Sequence, residues 1–299
     1  MRLNLLTGDT PHQDAAVRVI RAKAALRAAL APARREGATI GLVPTMGYLH
    51  EGHVSLLRAA RTECDLVVMS LFVNPTQFGP GEDLERYPRD EQRDLLLAEA
   101  AGVDFVFAPS VAEVYPDGFA ARVEVGGNLT EVLDGDPERR GSAHFRGVTT
   151  IVAKLFNVVG PDVAYFGQKD AQQAAVIGKM ARDLDFPLRV EVMPTVREPD
   201  GLAMSSRNAY LEPADRERAV AISRALGAAE REARADSLQA GLDAARRELA
   251  AAGIEPEYLE ARDAASLEPV AELGGSPVLV AVAARVGAAR LIDNVLISP

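Results

Sequence analysis

The segment Pro44-Thr45-Met46-Gly47-Tyr48-Leu49-His50-Glu51-Gly52-His53 gathers two of the chain's four histidines around one glycine. It lies between an apolar run over residues 39–43 and a helical pattern that starts near Gly52, and open α/β sheets bind ligands at such strand-to-helix turns. Gly52 lets a backbone approach a phosphate closely, and His53 opens a helix whose N-terminus favours anions. Histidines at i and i+3 could both face a triphosphate and stabilise charge at the α-phosphorus as it becomes five-coordinate. Two other readings stand beside this one. Zinc in the protease pattern needs histidines at i and i+4 with Glu between, and only His12 and His144 remain to complete a histidine-rich site. Ordinary loop histidines are the second alternative. No Gly-x-x-x-x-Gly-Lys-Ser/Thr loop occurs, so phosphates must be held in another way.

Further candidates fall at other element ends. Gln77 and Gln173 sit at strand ends in separate segments, where side chains converge on one crevice, and neutral amides bond hydroxyls without adding charge. Lys169 would place a cation on phosphates, and Asp170 beside it could equally be a helix N-cap. For Asp94, an aspartate on a charged helix, a solvated face is nearly as good a reading as a functional one.

These residues need elements to hold them. Short apolar runs at residues 17–20, 39–43, 65–73, 103–107, 163–166 and 188–192 read as strands, the second ended by Pro44. Helical patterns at 22–36, from Gly52, 90–101, 148–159 and 170–184 separate them. Buried strands alternating with helices predict an α/β fold, a Rossmann-like parallel sheet covered on both faces. After about residue 194 the pattern changes to two long helices, 213–234 and 238–252, and three strands, 257–262, 278–286 and 289–297. Gly287-Ala288 makes the last two a hairpin. The expected division is a catalytic domain over residues 1–192 and a smaller α+β domain over 193–299, after a leader at 1–15.

Composition narrows the function classes. Net charge is −10 with no clustered Lys/Arg, which argues against nucleic acid as a partner. The single cysteine, Cys64, permits no internal disulfide and no cysteine-based metal site. No run approaches the ~20 apolar residues of a membrane span, and residues 1–16 lack a signal-peptide core, so no membrane partner is expected and the cytoplasm is the expected compartment.

His50-x-Gly52-His53 resembles the HxGH element of the nucleotidyltransferase superfamily, shared with class I aminoacyl-tRNA synthetases. The longer string from Pro44 to His53 is similar to the pantothenate synthetase family in particular. So are Phe72-Val73-Asn74-Pro75-Thr76-Gln77-Phe78, Glu82-Asp83-Leu84-Glu85-Arg86-Tyr87-Pro88-Arg89, Tyr165-Phe166-Gly167-Gln168-Lys169-Asp170-Ala171-Gln172-Gln173 and Gly201-Leu202-Ala203-Met204-Ser205-Ser206-Arg207-Asn208. The resemblance runs from about residue 20 to 211 and continues more loosely to the C-terminus.

That resemblance implies ATP-dependent joining of pantoate to β-alanine through a pantoyl-adenylate, with Mg²⁺ and a homodimer. It implies that His50, His53, Lys169 and Arg207 are catalytic. ATP would be bound by Pro44, Met46, Gly52, Gly167, Asp170, Val196, Met204, Ser205 and Ser206, with Val196 and Met204 lining the adenine and Asp170 holding the ribose. Ser205-Ser206-Arg207 resembles the counterpart of the synthetase KMSKS loop, on the pyrophosphate. Gln77 and Gln173 would hold pantoate, and Asp94 would help place the metal ion. Two departures stand out. The family carries a small residue where Tyr48 stands, which predicts a tighter pocket mouth. Its Gly-x-x-Arg-Pro-x-His-Phe loop is longer here, Gly135-Asp136-Pro137-Glu138-Arg139-Arg140-Gly141-Ser142-Ala143-His144-Phe145, and leaves open whether Arg139 or Arg140 takes the arginine's role. The alternatives are another HxGH nucleotidyltransferase, which would keep the nucleotide in its product, and a non-catalytic nucleotide-binding protein. An aminoacyl-tRNA synthetase lacks support in a chain with no basic extension.

Overall fold

A computed structural model describes residues 17–299, so the leader expected over 1–15 lies outside the described residues. The first part of the chain alternates β1 (Arg18–Ile20), α1 (Lys23–Arg35), β2 (Ile40–Thr45), α2 (Glu51–Glu63), β3 (Leu66–Leu71), α3 (Glu91–Ala100), β4 (Phe105–Phe107), α4 (Val111–Val114), α5 (Ser142–Val159), β5 (Val163–Gly167), α6 (Ala171–Asp183) and β6 (Arg189–Met193). Side chains along a strand alternate between faces, and here both faces are apolar. Leu42, Val68, Phe105, Phe107, Ala164 and Phe166 face a core with α1, α5 and α6. Val43, Val67, Met69, Val106, Val163 and Tyr165 face a second core with α2 and α3.

All strand pairs in this sheet are parallel, in the order β1-β4-β3-β2-β5-β6. From β2 the chain moves outward through β3 and β4, then returns to lay β5 on the other side of β2. The order therefore reverses between β2 and β5, and a crevice opens there at the strands' carboxyl ends. The β2–β5 register holds only Gly41 and Leu42, whereas β2 stays paired with β3 through Thr45. Pro44, expected to end the strand, is instead inside it. Thr45 O accepts from Phe72 N–H on the β3 side, so the nitrogen of Pro44 points toward β5, beyond the end of that ladder. A residue without an N–H costs no hydrogen bond there.

The helix expected from residue 148 starts at Ser142. Gly147 lies in this added stretch and brings α5 against the 3₁₀ turn Pro75–Gln77. The long connection before α5 holds two further 3₁₀ turns, Asn128–Thr130 and Leu133–Gly135, which the apolar pattern does not announce.

The second part comprises α7 (Pro213–Ala235), α8 (Leu238–Ala251) and an antiparallel sheet of β7 (Pro256–Asp263), β8 (Val278–Val286) and β9 (Ala289–Ile297). One face of this sheet, through Val280, Val282 and Leu291, packs on the two helices. Tyr258, Leu279, Ala281 and Ala283 on the other face meet Leu129, Leu133, Phe145 and Val176 of the first part. A sheet apolar on both faces thus becomes the bridge between two bodies. No helix among the described residues is long and apolar enough to cross a membrane.

A methyl group on Gly147 would sit 2.3 Å from Thr76 O, a backbone atom with no room to move. Gly147→Ala is expected to lower unfolding stability by about 1–3 kcal/mol, as overpacking does. Chemical denaturation checks this, and an unchanged midpoint would refute the tight α5 contact.

Candidate active site

The crevice leads into a cavity of about 240 Å³. It is lined at the end of β2 by Pro44 and Met46, at the start of α2 by His50, Gly52 and His53, and after β3 by Gln77. The end of β5 contributes Gly167, Lys169 and Asp170, and the first turn of α6 contributes Gln173. Val196, Met204, Ser205, Ser206 and Arg207 close it from the second part of the chain.

His50 caps the N-terminus of α2, and its ring lies 4.0 Å from that of His53, centroid to centroid. His53 Nδ1 accepts from the His50 backbone N–H at 3.4 Å, which leaves Nε2 as the protonated nitrogen. Burial, then Lys169, lowers His50 to about 4 against the opposing pull of Asp170 and Glu198. Burial, then His50 and Lys169, holds His53 well below its ordinary value. Both imidazoles are therefore neutral at pH 7 and act as N–H donors, and a phosphate placed beside them would favour their charged forms. A Cβ on Gly52 would lie 2.9 Å from His50 Nδ1, so only glycine lets this ring lie back along the helix. A Cβ on Gly167 would meet nothing within 4 Å, leaving the backbone there open for a ligand's approach.

Lys169 Nζ lies 3.7 Å from Asp170 Oδ1. Asp170 is the N-cap of α6, yet its side chain makes no capping bond, so the carboxylate stays available for a ligand. The turn that carries Lys169 is held from the second part of the chain. Buried Asn294 on β9 donates to Gln168 O and Lys169 O, both at 2.9 Å, and accepts from Gln168 Nε2 at 3.0 Å. Its neighbour Asp293 receives a two-pronged bond from Arg197, at 2.6 and 3.1 Å, which ties in the segment before Met204. No local signal in the sequence marks Asn294 as part of the site.

Arg207 grips Asp83 through two bonds at 3.0 and 3.1 Å. Burial would raise the Asp83 carboxyl, but the guanidinium more than offsets this and holds it below the usual range. Ser206 Oγ donates to Tyr48 O at 3.3 Å, which ties the 205–210 segment to the histidine loop, and Tyr210 Oη donates to Arg86 O at 3.0 Å, which latches it over the 79–89 loop.

In the lengthened loop it is Arg140 that reaches the cavity, pairing with Glu82 at 2.7 Å and donating to His144 Nε2 at 3.0 Å. Arg139 turns away, over the Tyr258 ring at 4.7 Å. His144 Nδ1–H donates to Gln77 O at 2.7 Å, and burial with Arg140 brings this histidine to about 4. Asp134, buried near the cavity, pairs with Arg290 of β9 at 2.9 Å and accepts from Tyr258 Oη at 2.9 Å.

Two expectations meet a different geometry. Asp94 does not line the cavity: it is 1% exposed, and its two oxygens accept from Tyr48 N–H at 2.8 Å and Leu49 N–H at 2.7 Å. Each carboxylate oxygen thus holds one backbone N–H of the histidine loop. Among the described residues no group of three or more His, Cys, Asp or Glu is placed to hold a metal ion. Tyr48 does not line the cavity either. It sits in the left-handed region at φ 52°, and its ring faces the Arg93 guanidinium at 5.5 Å.

Asp94→Asn would set an amide N–H against a backbone N–H. It is expected to cost about 1–3 kcal/mol of stability, with the Mg²⁺ dependence of the rate unchanged. A tenfold shift in Mg²⁺ half-saturation, with stability intact, would restore the metal role. The histidines give a pH test with a defined sign. Their folded values lie below the ordinary 6.5, so the unfolded chain binds protons first and stability falls as pH drops from about 6.5 toward 4. Thermal melts across that window should show the loss, and imidazole ¹⁵N shifts at pH 5.5 should still report neutral rings for His50 and His144.

Residues 18–296 match the model of the Pantoate-beta-alanine ligase family. The pantothenate synthetase of Moorella thermoacetica is 55% identical over 277 residues, 92% of this chain and 96% of that protein. That of Acetivibrio thermocellus is 53% identical, over 94% and 99%. Among solved structures, pantothenate synthetase from Thermus thermophilus aligns with TM-score 0.88 at 48% identity, covering 95% of this chain and all of that one. The pantoate-beta-alanine ligase of Francisella tularensis, in complex with β,γ-ATP and β-alanine, aligns at TM-score 0.77 and 33% identity, over 94% and 98%. With its family model matched over nearly the whole length and relatives more than half identical, this chain belongs to the pantoate–β-alanine ligase family.

Proposed function

We propose that the protein joins pantoate to β-alanine at the expense of ATP, by way of a pantoyl-adenylate, releasing pyrophosphate and then AMP. The observation that carries this reading is the convergence of phosphate-type groups (His50, His53, Lys169) and neutral amides (Gln77, Gln173) on one cavity at the β2–β5 crevice. Pantoate brings a carboxylate and two hydroxyls. A carboxylate with a pKa near ~4 is ionised at neutral pH, so its attack on the α-phosphorus needs no base. It needs alignment and charge neutralisation. The neutral imidazoles supply N–H donors to α-phosphate oxygens, and Lys169 supplies the positive charge beside them. Val196 and Met204 offer an apolar seat for adenine, and Asp170 an acceptor for the ribose hydroxyls. Ser205, Ser206 and Arg207 face the departing pyrophosphate, and the triphosphate competes with Asp83 for the Arg207 guanidinium.

In the second step the amine of β-alanine, with a pKa of roughly 10, sheds a proton and attacks the mixed anhydride. His144 is a poor base for it, because both ring nitrogens already have partners. Substrate phosphate or water takes the proton in this reading. Mg²⁺ enters as part of the ATP substrate, held mainly by phosphates and water, as suits this ion. Residues 1–192 form the catalytic domain and 193–299 the lid. The homodimer rests on the family resemblance alone.

Labelled pyrophosphate is expected to exchange into ATP when pantoate and Mg²⁺ are present without β-alanine. Exchange without pantoate, or ADP as product, would overturn the acyl-adenylate. His50→Ala, Lys169→Ala and Arg207→Ala are each expected to slow that exchange by roughly 10²–10³-fold, the scale of one lost transition-state donor. A folded Arg207→Ala variant exchanging at nearly the parent rate would reduce the lid loop to a structural role.

A further inference from the structure

The Gln77 amide is not free to present either end to the cavity. Asn74, just beyond β3, is 1% exposed. Its Oδ1 accepts from the Thr76 backbone N–H at 3.4 Å, and its Nδ2 donates to the Gly147 carbonyl at 3.2 Å. A backbone N–H can only donate and a carbonyl can only accept, so flipping this amide would break both contacts. Oδ1 also takes the Tyr115 hydroxyl at 2.8 Å and Thr76 Oγ1 at 3.0 Å. The second Nδ2 hydrogen goes to Gln77 Oε1 at 3.0 Å. With its oxygen so committed, Gln77 is left with Nε2 as its outward group, and the contact it makes there is with Met46 Sδ at 3.4 Å, a weak acceptor. The polarity of two backbone groups is thereby passed through Asn74 to the side chain that faces the ligand.

Tyr115 stands behind this relay. It follows α4, does not line the cavity, and its ring is fixed between Phe72 at 6.3 Å and Phe119 at 5.1 Å. We propose that Tyr115 is a positioning residue for the acid substrate: through Asn74 it locks the Gln77 amide with its N–H donors toward the cavity. Gln77 then selects an accepting oxygen on the hydroxy acid, a hydroxyl lone pair or a carboxylate. This rests on the reading of Gln77 as a pantoate ligand.

Tyr115→Phe keeps the ring and removes one donor to Asn74. Steady-state kinetics with each substrate varied should show the KM for pantoate raised about 2–10-fold, the scale of one hydrogen bond, with kcat and the KM for ATP unchanged. The unchanged ATP term also shows that the variant is folded. In a Gln77→Ala background the same substitution should have no further effect on pantoate KM, since the relay no longer ends in an amide. An unaltered pantoate KM in Tyr115→Phe, an equal rise for ATP, or a full-sized effect without Gln77 would each overturn the relay. Gln77→Ala with unaltered pantoate dependence would overturn the pantoate pocket itself, and that outcome is read from the single Gln77 variant alone.

Discussion

The β2–β5 ladder ends at Leu42, and the site exists because it does. Had the two strands stayed paired to their ends, backbone hydrogen bonds would close the space into which Pro44, Met46 and Gly167 now open. Proline at position 44 prevents one further rung on that side while leaving the β3 side intact. The chain turns in opposite directions on leaving β2 and β5, so the histidine loop and the Lys169 turn face each other across the gap. His50, His53, Lys169 and Asp170 hang on these two turns, and the rest of the molecule keeps them at their distance.

The second part of the chain is one of those keepers. Its sheet lies between two apolar layers, one formed by its own helices and one by residues 129–176 of the first part. Apolar burial supplies the attraction, and it is not directional. Direction comes from polar contacts at the edge of the same interface. Arg290 and Tyr258 reach Asp134, and Asn294 reaches the carbonyls beside Lys169. A buried ion pair adds little net stability compared with an apolar pair, but a misplaced one is costly, so it selects one docking geometry over its neighbours. The second part of the chain is thus registered to the Lys169 turn by a strand that also belongs to its own core.

Charge in the site is balanced before a substrate arrives. Arg207 lies on Asp83, Arg140 on Glu82, and the histidines are neutral through burial and the nearby lysine. Such an arrangement avoids an uncompensated cluster of cations in a poorly solvated cavity. In the proposed reaction, the triphosphate would bind Arg207 by taking the place of Asp83.

Much of this was legible in the residues themselves. Apolar runs of five or six residues separated by helical periods dictate a doubly covered parallel sheet, because such strands have no polar face to offer water. The spacing of His50, Gly52 and His53 after one strand, with Lys169 and Asp170 after another, marks two ligand-facing turns, since strand ends are where a parallel sheet exposes its loops. Sequence could not order the strands, and so could not show that these two turns are neighbours across a gap. Asp94 shows the same limit. A carboxylate on a charged helix reads alike whether it faces solvent or holds two backbone N–H groups, and only the approach of residues 48–49 shows the latter. Arg139 and Arg140 are chemically identical neighbours, separated only by which one Tyr258, more than a hundred residues on, draws to its ring. Asn294 carries no local mark at all, for its partners lie 125 and 126 residues away. Periodicity fixes which face of an element is buried; what a polar side chain meets on the far side of a fold depends on the packing of distant elements, and that only the tertiary structure decides.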